Sequence, residues 1–409
     1  MIESQQAPPD GNSTPDIGFA LRSGPGRSKV GSPTTEAVHS VPELTRRLAD
    51  GVAEAGPDGW RRFDAVFALT VVGGVAFVLY YDEADRPARV DPAVAVLELA
   101  EKLRAISAEH NDGPWWRMVV RADVTGGHEV EYDYGHEPFP EDQILVPEAY
   151  LIDLQTFPRA RVPVWLAAYV FHNNWQSRSP KNAATAADAD RDAGRYGVPA
   201  PDEFPALPLI WARWATIAAT FVAVGSERGP RILPALGLFE GSGHSGSTLH
   251  VLPGDRAVLS GGVWNSPELD AAYNDDAPFP DLYAGAPDWV VNQVLNPRVG
   301  GGLMSFCYWW DRDGWYRGDS PTADHLSAAV PGVWSAQDVA DILCDVAISD
   351  PNPGQRQAAL DLVAAAEAGT VTRDIVAAFF EDPSHDVAGA LVELSMAGLV
   401  TSSTRVPAR

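Results

Sequence analysis

Apolar and polar positions along residues 41–170 follow two periods, and the switches between them predict a helix, hairpin, helix, hairpin order. Ser40-Val-Pro-Glu43 places a cap-type residue three before a glutamate, with proline in the first turn, so a helix should start there and run to about residue 54. Residues 61–70 and 72–82 are rich in Val, Phe and Tyr, with Gly73-Gly74 near their junction, and predict two paired strands. Between about 92 and 109, Val96, Leu99, Leu103 and Ile106 recur at three, four and three, which is one stripe of a helix. Two further strands are expected at 115–122 and 128–134, turned by Gly126-Gly127. This alternation of helices and antiparallel hairpins is an α+β pattern.

The rest of the chain divides by composition. Residues 1–40 are rich in Pro, Gly, Ser and Thr without apolar periodicity and read as a disordered arm. The first α+β domain takes residues 41–175, its last part (147–169) ending in an apolar segment at Trp165. Residues 176–205, with much Ser, Asn, Ala and Asp and few large apolar side chains, read as a linker. A second α+β domain is expected over 206–350: a helix at 209–219, strands at 221–224, 232–239, 248–252 and 257–259, and a helix at 288–295. It continues in a hairpin with arms 303–310 and 315–317 turned at Asp311-Arg-Asp-Gly314, then a helix capped by Ser335. Residues 351–409 are Ala-rich and helical to about 400, then polar. Glu-Pro-Phe-Pro-Glu-Asp at 137–142 is echoed by Ala-Pro-Phe-Pro-Asp at 277–281, which raises the question of a duplicated module. The expected fold is thus two small helix and antiparallel-sheet domains plus a C-terminal helical segment.

Charge narrows the function classes. The chain of 409 residues carries a formal net charge of −25, which argues against nucleic acid or an anionic membrane as partner. The best membrane window, 63–81, is broken by Asp64 and Gly73-Gly74, and residues 1–16 lack a basic segment followed by an apolar one, so a cytoplasmic location is expected. Cys307 and Cys344 sit in apolar contexts and read as buried reduced thiols. The nine histidines form neither HExxH nor a zinc spacing, and His128 and His136 read as surface residues. The glycine-rich run 241–246 follows a strand but leads into another strand rather than a helix, so it lacks the setting of a phosphate loop or a nucleophile elbow. No catalytic residue, metal or cofactor is assigned.

Carboxylates are the anomaly. Nine lie between Arg121 and Arg159, and six between Arg256 and Arg298, with no lysine or arginine in either stretch. Alternation puts Glu129, Glu131 and Asp133 on one side of a strand and Val130, Tyr132 and Tyr134 on the other. A glycosidase needs two carboxylates across a sugar cleft, a pairing that sequence does not show, and the alternating oxygens of a calcium loop are absent. An acidic interface or a solvated face remains; Tyr and Phe interleave with both stretches, and Trp with the second, as interface anchors do. The candidate partner-binding residues are Glu129, Glu131, Asp133, Glu137, Glu141 and Asp142.

Residues 115–134, Trp-Trp-Arg-Met-Val-Val-Arg-Ala-Asp-Val-Thr-Gly-Gly-His-Glu-Val-Glu-Tyr-Asp-Tyr, resemble the YezG-like toxin immunity family, which has a tryptophan strand followed by an acidic one. Asp153-Leu, Phe157-Pro-Arg159 and Pro163-Val-Trp165 resemble the tail of actinobacterial members, including the group that neutralises NAD-hydrolysing toxins. The resemblance covers roughly 42–170. It implies a non-enzymatic inhibitor that binds a cognate toxin domain, and clustered carboxylates would speed capture of a basic one. An acidic cytoplasmic scaffold or regulator is the alternative, and a hydrolase using the second domain the third.

Overall fold

The structure, a computed structural model, describes residues 40–110, 112–241 and 243–401; the expected arm (but for Ser40) and most of the polar tail lie outside them. Helix α1 (Val41–Glu54) buries Leu44, Leu48 and Val52, one per turn. Pro42 and Glu43 occupy its first turn, but the Ser40 side chain makes no cap hydrogen bond. Strands β1 (Arg62–Thr70) and β2 (Gly73–Tyr81) pair from Thr70↔Gly73 to Arg62↔Tyr81. The turn itself is Val71-Val72, and the two glycines open β2. Gly74 is needed there because a Cβ would lie 2.1 Å from the Ala68 carbonyl oxygen. Strand β3 (Pro87–Val90) was not foreseen; it extends the sheet beyond β2. Helix α2 (Val94–His110), β4 (Arg117–Asp123) and β5 (His128–Asp133) follow. The antiparallel order is β3-β2-β1-β4-β5, so β5 is an edge.

One face of this sheet carries α1 and α2. Leu48, Val52, Val96, Ala100 and Leu103 are buried against Phe63, Ala65, Phe67, Val78, Tyr80, Met118 and Val120. The α2 stripe is as expected, with Leu99 and Ile106 partly buried at its margin. Tyr80 donates its hydroxyl to the Val52 carbonyl at 2.6 Å, satisfying the one polar atom that this ring brings inside. Helices α3 (Pro147–Thr156) and α4 (Val164–Phe171) close the unit.

Residues 176–205 are not a linker. They hold α5 (Pro180–Asp192), whose N-terminus is capped by the Ser179 hydroxyl, and β6 (Val198–Pro199). Alanine is the best helix former, so an Ala-rich stretch poor in large side chains still makes a helix where neighbours accept its small face; Ala183 is buried there. The buried Gln176 exchanges amide hydrogen bonds with the Met304 backbone, and Asp190 accepts from the Gly285 N–H, so the stretch is fastened to the second domain at its start and its middle.

The second domain opens with α6 (Leu207–Ala223), which absorbs the strand expected at 221–224. Ile210, Trp214, Ala215, Ile217, Ala218 and Ala219 are all buried, so the helix is packed on nearly every side and tertiary packing overrides the strand preference of Phe-Val-Ala-Val. The single strand expected at 232–239 is two, β7 (Arg231–Leu233) and β8 (Leu236–Glu240), reversed at Pro234-Ala235 with Ala235 left-handed. Then come β9 (Gly246–Leu252), β10 (Arg256–Gly262), α7 (Pro267–Asn274), β11 (Phe306–Asp311) and β12 (Gly314–Arg317). The helix expected at 288–295 is only a short 3-10 turn, Asp288–Val290. Buried Asn296 takes the Val290 and Asn292 carbonyls with its side-chain amide, holding the chain in a loop instead. Helices α8 (Ala336–Ala347), α9 (Pro353–Glu367), α10 (Arg373–Phe379) and α11 (Val387–Met396) complete the chain, and Ser335 caps α8 by accepting from the Asp338 N–H.

The second sheet runs β6-β12-β11-β10-β9-β8-β7. It is covered on both faces. Phe306, Tyr308 and Trp310 point to α6 and the C-terminal helices, while Cys307 and Trp309 point to a layer of loops and α5. Cys307 and Cys344 are buried and unpaired, and burial raises the thiol pKa of both. The two sheets differ in strand order and in covering, so the sequence echo at 137–142 and 277–281 is not matched by a repeated topology.

Candidate partner-binding face

Beta pairing fixes which side chains share the outer face of the first sheet. Glu129, Glu131 and Asp133 on β5 stand opposite Arg121, Val119 and Arg117 on β4. Val130, Tyr132 and Tyr134 pack on the helix side, as the alternation predicts. Glu129 and Glu131 are exposed, and Asp133 is half-buried. Arg121 binds Glu131 at 2.9 Å, and Arg117 lies 3.6 Å from Asp133 and 4.0 Å from Glu131. The segment carrying Glu137, Glu141 and Asp142 crosses the same face. Arg117 donates to Gln143 at 2.6 Å, and Asp142 lies 3.7 Å from Arg89 on β3. Arg89 in turn stacks on Phe77, which with Val66 and Val119 forms a small apolar patch sealed beneath these charges.

The six candidates therefore fall into two groups. Glu131, Asp133 and Asp142 are held by arginines that the linear stretch does not contain. Glu129 and Glu141 are exposed and have no ion pair among the described residues, and Glu137 has only His244 at 4.0 Å. The signal for the arginines was present in the sequence, since Arg117 and Arg121 alternate on β4 as the acids do on β5, but only the register joins the two strands.

Beneath the face lies a buried charge cluster. Arg104 on α2 binds both oxygens of Asp153 on α3, at 2.8 and 2.7 Å, and donates to the Trp115 carbonyl. Asp153 also accepts from the Trp116 indole and the Val71 N–H. The side chains are 7% and 1% exposed, so this pair is largely out of water, and Asp153 accepts four hydrogen bonds in exchange. Burial lowers the Arg104 pKa, and the Asp153 charge works against that shift. Arg159 lies over the Trp116 ring at 3.4 Å, and burial pushes its pKa down to about 10. Asp153 belongs in sequence to the same acidic stretch, although an acid within Tyr-Leu-Ile-Asp-Leu marks a paired core charge.

The second acidic stretch meets the first domain. Arg161, just before α4, binds Asp270 on α7 and Asp275, the latter at 2.9 Å. Asn274 and Val162 exchange hydrogen bonds at 2.9 and 3.0 Å. Arg178 binds Asp281 at 2.9 Å. Trp175 donates to the Tyr273 hydroxyl, which donates to the Gly302 carbonyl, and burial pushes the Tyr273 pKa up to about 12.

His128 and His136 are exposed. Among the described residues no three His, Cys, Asp or Glu side chains gather as metal ligands, and no helix is long and apolar enough to cross a membrane. No protein-family model matches the chain, and no curated protein matches it.

Proposed function

We propose that this chain is a non-enzymatic immunity protein of the cytoplasm that captures a basic toxin domain, with an NAD-hydrolysing toxin as the favoured target. One observation carries the proposal: Glu129, Glu137 and Glu141 project from an edge strand and the adjoining segment with no arginine bound to them among the described residues, on a base fixed by the buried Arg104–Asp153 pair. Exposed unneutralised carboxylates on a rigid support steer a basic partner into contact without reorganising the free protein. Glu131, Asp133 and Asp142 serve the same face by holding Arg117, Arg121 and Arg89 down on the sheet, which leaves the free acids outermost.

The test is association with a basic NAD-hydrolysing toxin domain, followed with wild type and with the triple variant Glu129→Lys, Glu137→Lys, Glu141→Lys. Association at low salt should slow by about tenfold or more, dissociation should change less, and rising salt should erase the difference. Melting should be unaltered, because these side chains are exposed. A folded triple variant that captures at the wild-type rate would remove this face from the interface. A wild-type chain that neither binds nor protects against that toxin would end the immunity proposal and leave the acids a solubilising surface.

A further inference from the structure

Where the two domains meet, a cleft of about 240 Å³ opens beside Glu137. Trp165 and Pro138 of the first domain form one wall, and Trp264, His244, Glu240 and Arg298 of the second form the other. The His244 ring lies 4.8 Å from that of Trp264, whose backbone N–H is held by the Ser245 hydroxyl. Gly262 lies on the floor, where a Cβ would come within 2.3 Å of the Leu303 carbonyl oxygen and 3.2 Å of Arg298 Cδ. Any side chain there would have to displace the backbone that shapes the cleft, so glycine keeps it open.

Size and charge select the occupant. Sites for drug-sized ligands take about 300 to 1,000 Å³, so this cleft suits one long side chain better than a dinucleotide. Arg298 reaches both oxygens of Glu240 with a single nitrogen, at 2.8 and 2.7 Å. The Glu240 side chain is nevertheless 72% exposed, and a carboxylate has about four acceptor sites, so its outer lone pairs remain open to a second donor. Glu137, 79% exposed at the rim, adds another carboxylate, and the two leave the cleft net negative against Arg298. Tryptophan beside carboxylate is the environment that a planar guanidinium fits, by stacking and by forked hydrogen bonds.

We infer that the interdomain cleft receives an arginine side chain of the protein partner, stacked on Trp264 and hydrogen-bonded to Glu240 and Glu137. This deepens the capture proposal, which it needs only for the occupant's being part of a protein. The free carboxylates of the ridge bring the basic partner in, and the cleft, at their end, gives it one fixed point. Arginine anchors of this kind dominate binding energy while the surrounding contacts exclude water.

The test uses the full chain alone, so that it stands or falls apart from toxin capture. Saturation-transfer NMR is recorded with N-acetyl-arginine-methylamide, with its uncharged citrulline counterpart, and with arginine in the presence of inorganic phosphate. Arginine should bind, citrulline should bind about tenfold more weakly, and phosphate should not displace arginine from the protein. Trp264→Ala and Glu240→Gln should each weaken arginine binding roughly tenfold. Glu240→Gln keeps shape at an exposed position and covers the event that Trp264→Ala disturbs the junction. Equal binding of citrulline, loss of the arginine signal to phosphate, no arginine binding to wild type, or unchanged binding in a folded Glu240→Gln variant would each overturn the inference.

Discussion

The two arginine-free acidic stretches look alike along the chain and do opposite work in the fold. In the first, the arginines that meet the acids come from the same domain: Arg121 reaches Glu131 ten residues away, and Arg117 and Arg89 serve Asp133 and Asp142. The result is a mixed-charge sheet face with surplus carboxylates at its edge. In the second, Arg161 reaches Asp275 across 114 residues of sequence and Arg178 reaches Asp281 across 103. Asp270 and Asp275 hold the first domain against the second through Arg161, and Asp281 ties the 176–205 segment down through Arg178. An acid's role is decided by where its nearest cation comes from, and a run of like charges in sequence says nothing of that. The proposed partner-binding face uses Glu129, Glu137 and Glu141, which bind no arginine among the described residues; Glu268, Asp276 and Asp288 of the second stretch are exposed and likewise form no ion pair among them.

The largest expected effect divides the first stretch internally. Asp153 and Glu129 both belong to it, but Asp153 is buried and answers Arg104, Trp116 and Val71. Asp153→Asn keeps the volume and leaves Arg104 buried without its countercharge, which should cost about 3–5 kcal/mol in urea unfolding. Glu129→Gln should cost nearly nothing. Equal losses would erase the distinction between core and surface acids.

A smaller effect tests the second stretch. Arg161→Gln removes two ion pairs at a half-exposed site, so the loss should be modest and should shrink as salt screens it. Amide exchange in α4 and α7 should quicken by roughly two- to fivefold at low salt, with β1 and β4 unaffected. Faster exchange in β5 instead would mean that Arg161 supports the acidic ridge rather than the junction.

Periodicity made part of this legible. The strand alternation fixed which of 129–134 face outward before any register was known, and the α2 stripe and the Asp311–Gly314 turn lie where their spacing put them. What stayed hidden depends on contacts distant in sequence. The helical end of α6 at 221–223 needs the surrounding core, and α5 needs the second sheet to accept Ala183. The loop at 288–296 needs the Asn296 amide, which mimics the backbone and interrupts a helix that composition favours. The candidate face was half legible for the same reason: its acids are consecutive on one strand and segment, whereas the arginines that neutralise half of them stand on neighbouring strands.

The smallest expected effect concerns a carboxylate outside both stretches. Glu393 on α11 is buried and accepts the Ile232 N–H at 2.7 Å, which ties the C-terminal helix to β7. Burial raises its pKa above the ordinary 4.5; the Ile232 hydrogen bond and the charge of Arg231 oppose that rise without cancelling it. No arginine forms an ion pair with it among the described residues, so it is the converse of Asp153: buried like it, but without a bonded cation. Because the folded state holds this proton more tightly than the unfolded one, the carboxyl contributes stability that is fully present below pH 4.5 and is lost as pH rises through its raised folded value. Glu393→Gln keeps an acceptor for Ile232 and removes the buried charge. The variant should therefore melt slightly higher than wild type at pH 7, and the gain should shrink as pH falls toward 4.5 and below, where the wild-type carboxyl is already neutral. Melting curves across that range check the sign. A variant less stable than wild type at neutral pH would show that Arg231 stabilises the Glu393 carboxylate, and the rule that a buried acid needs a bonded arginine would then be too strict.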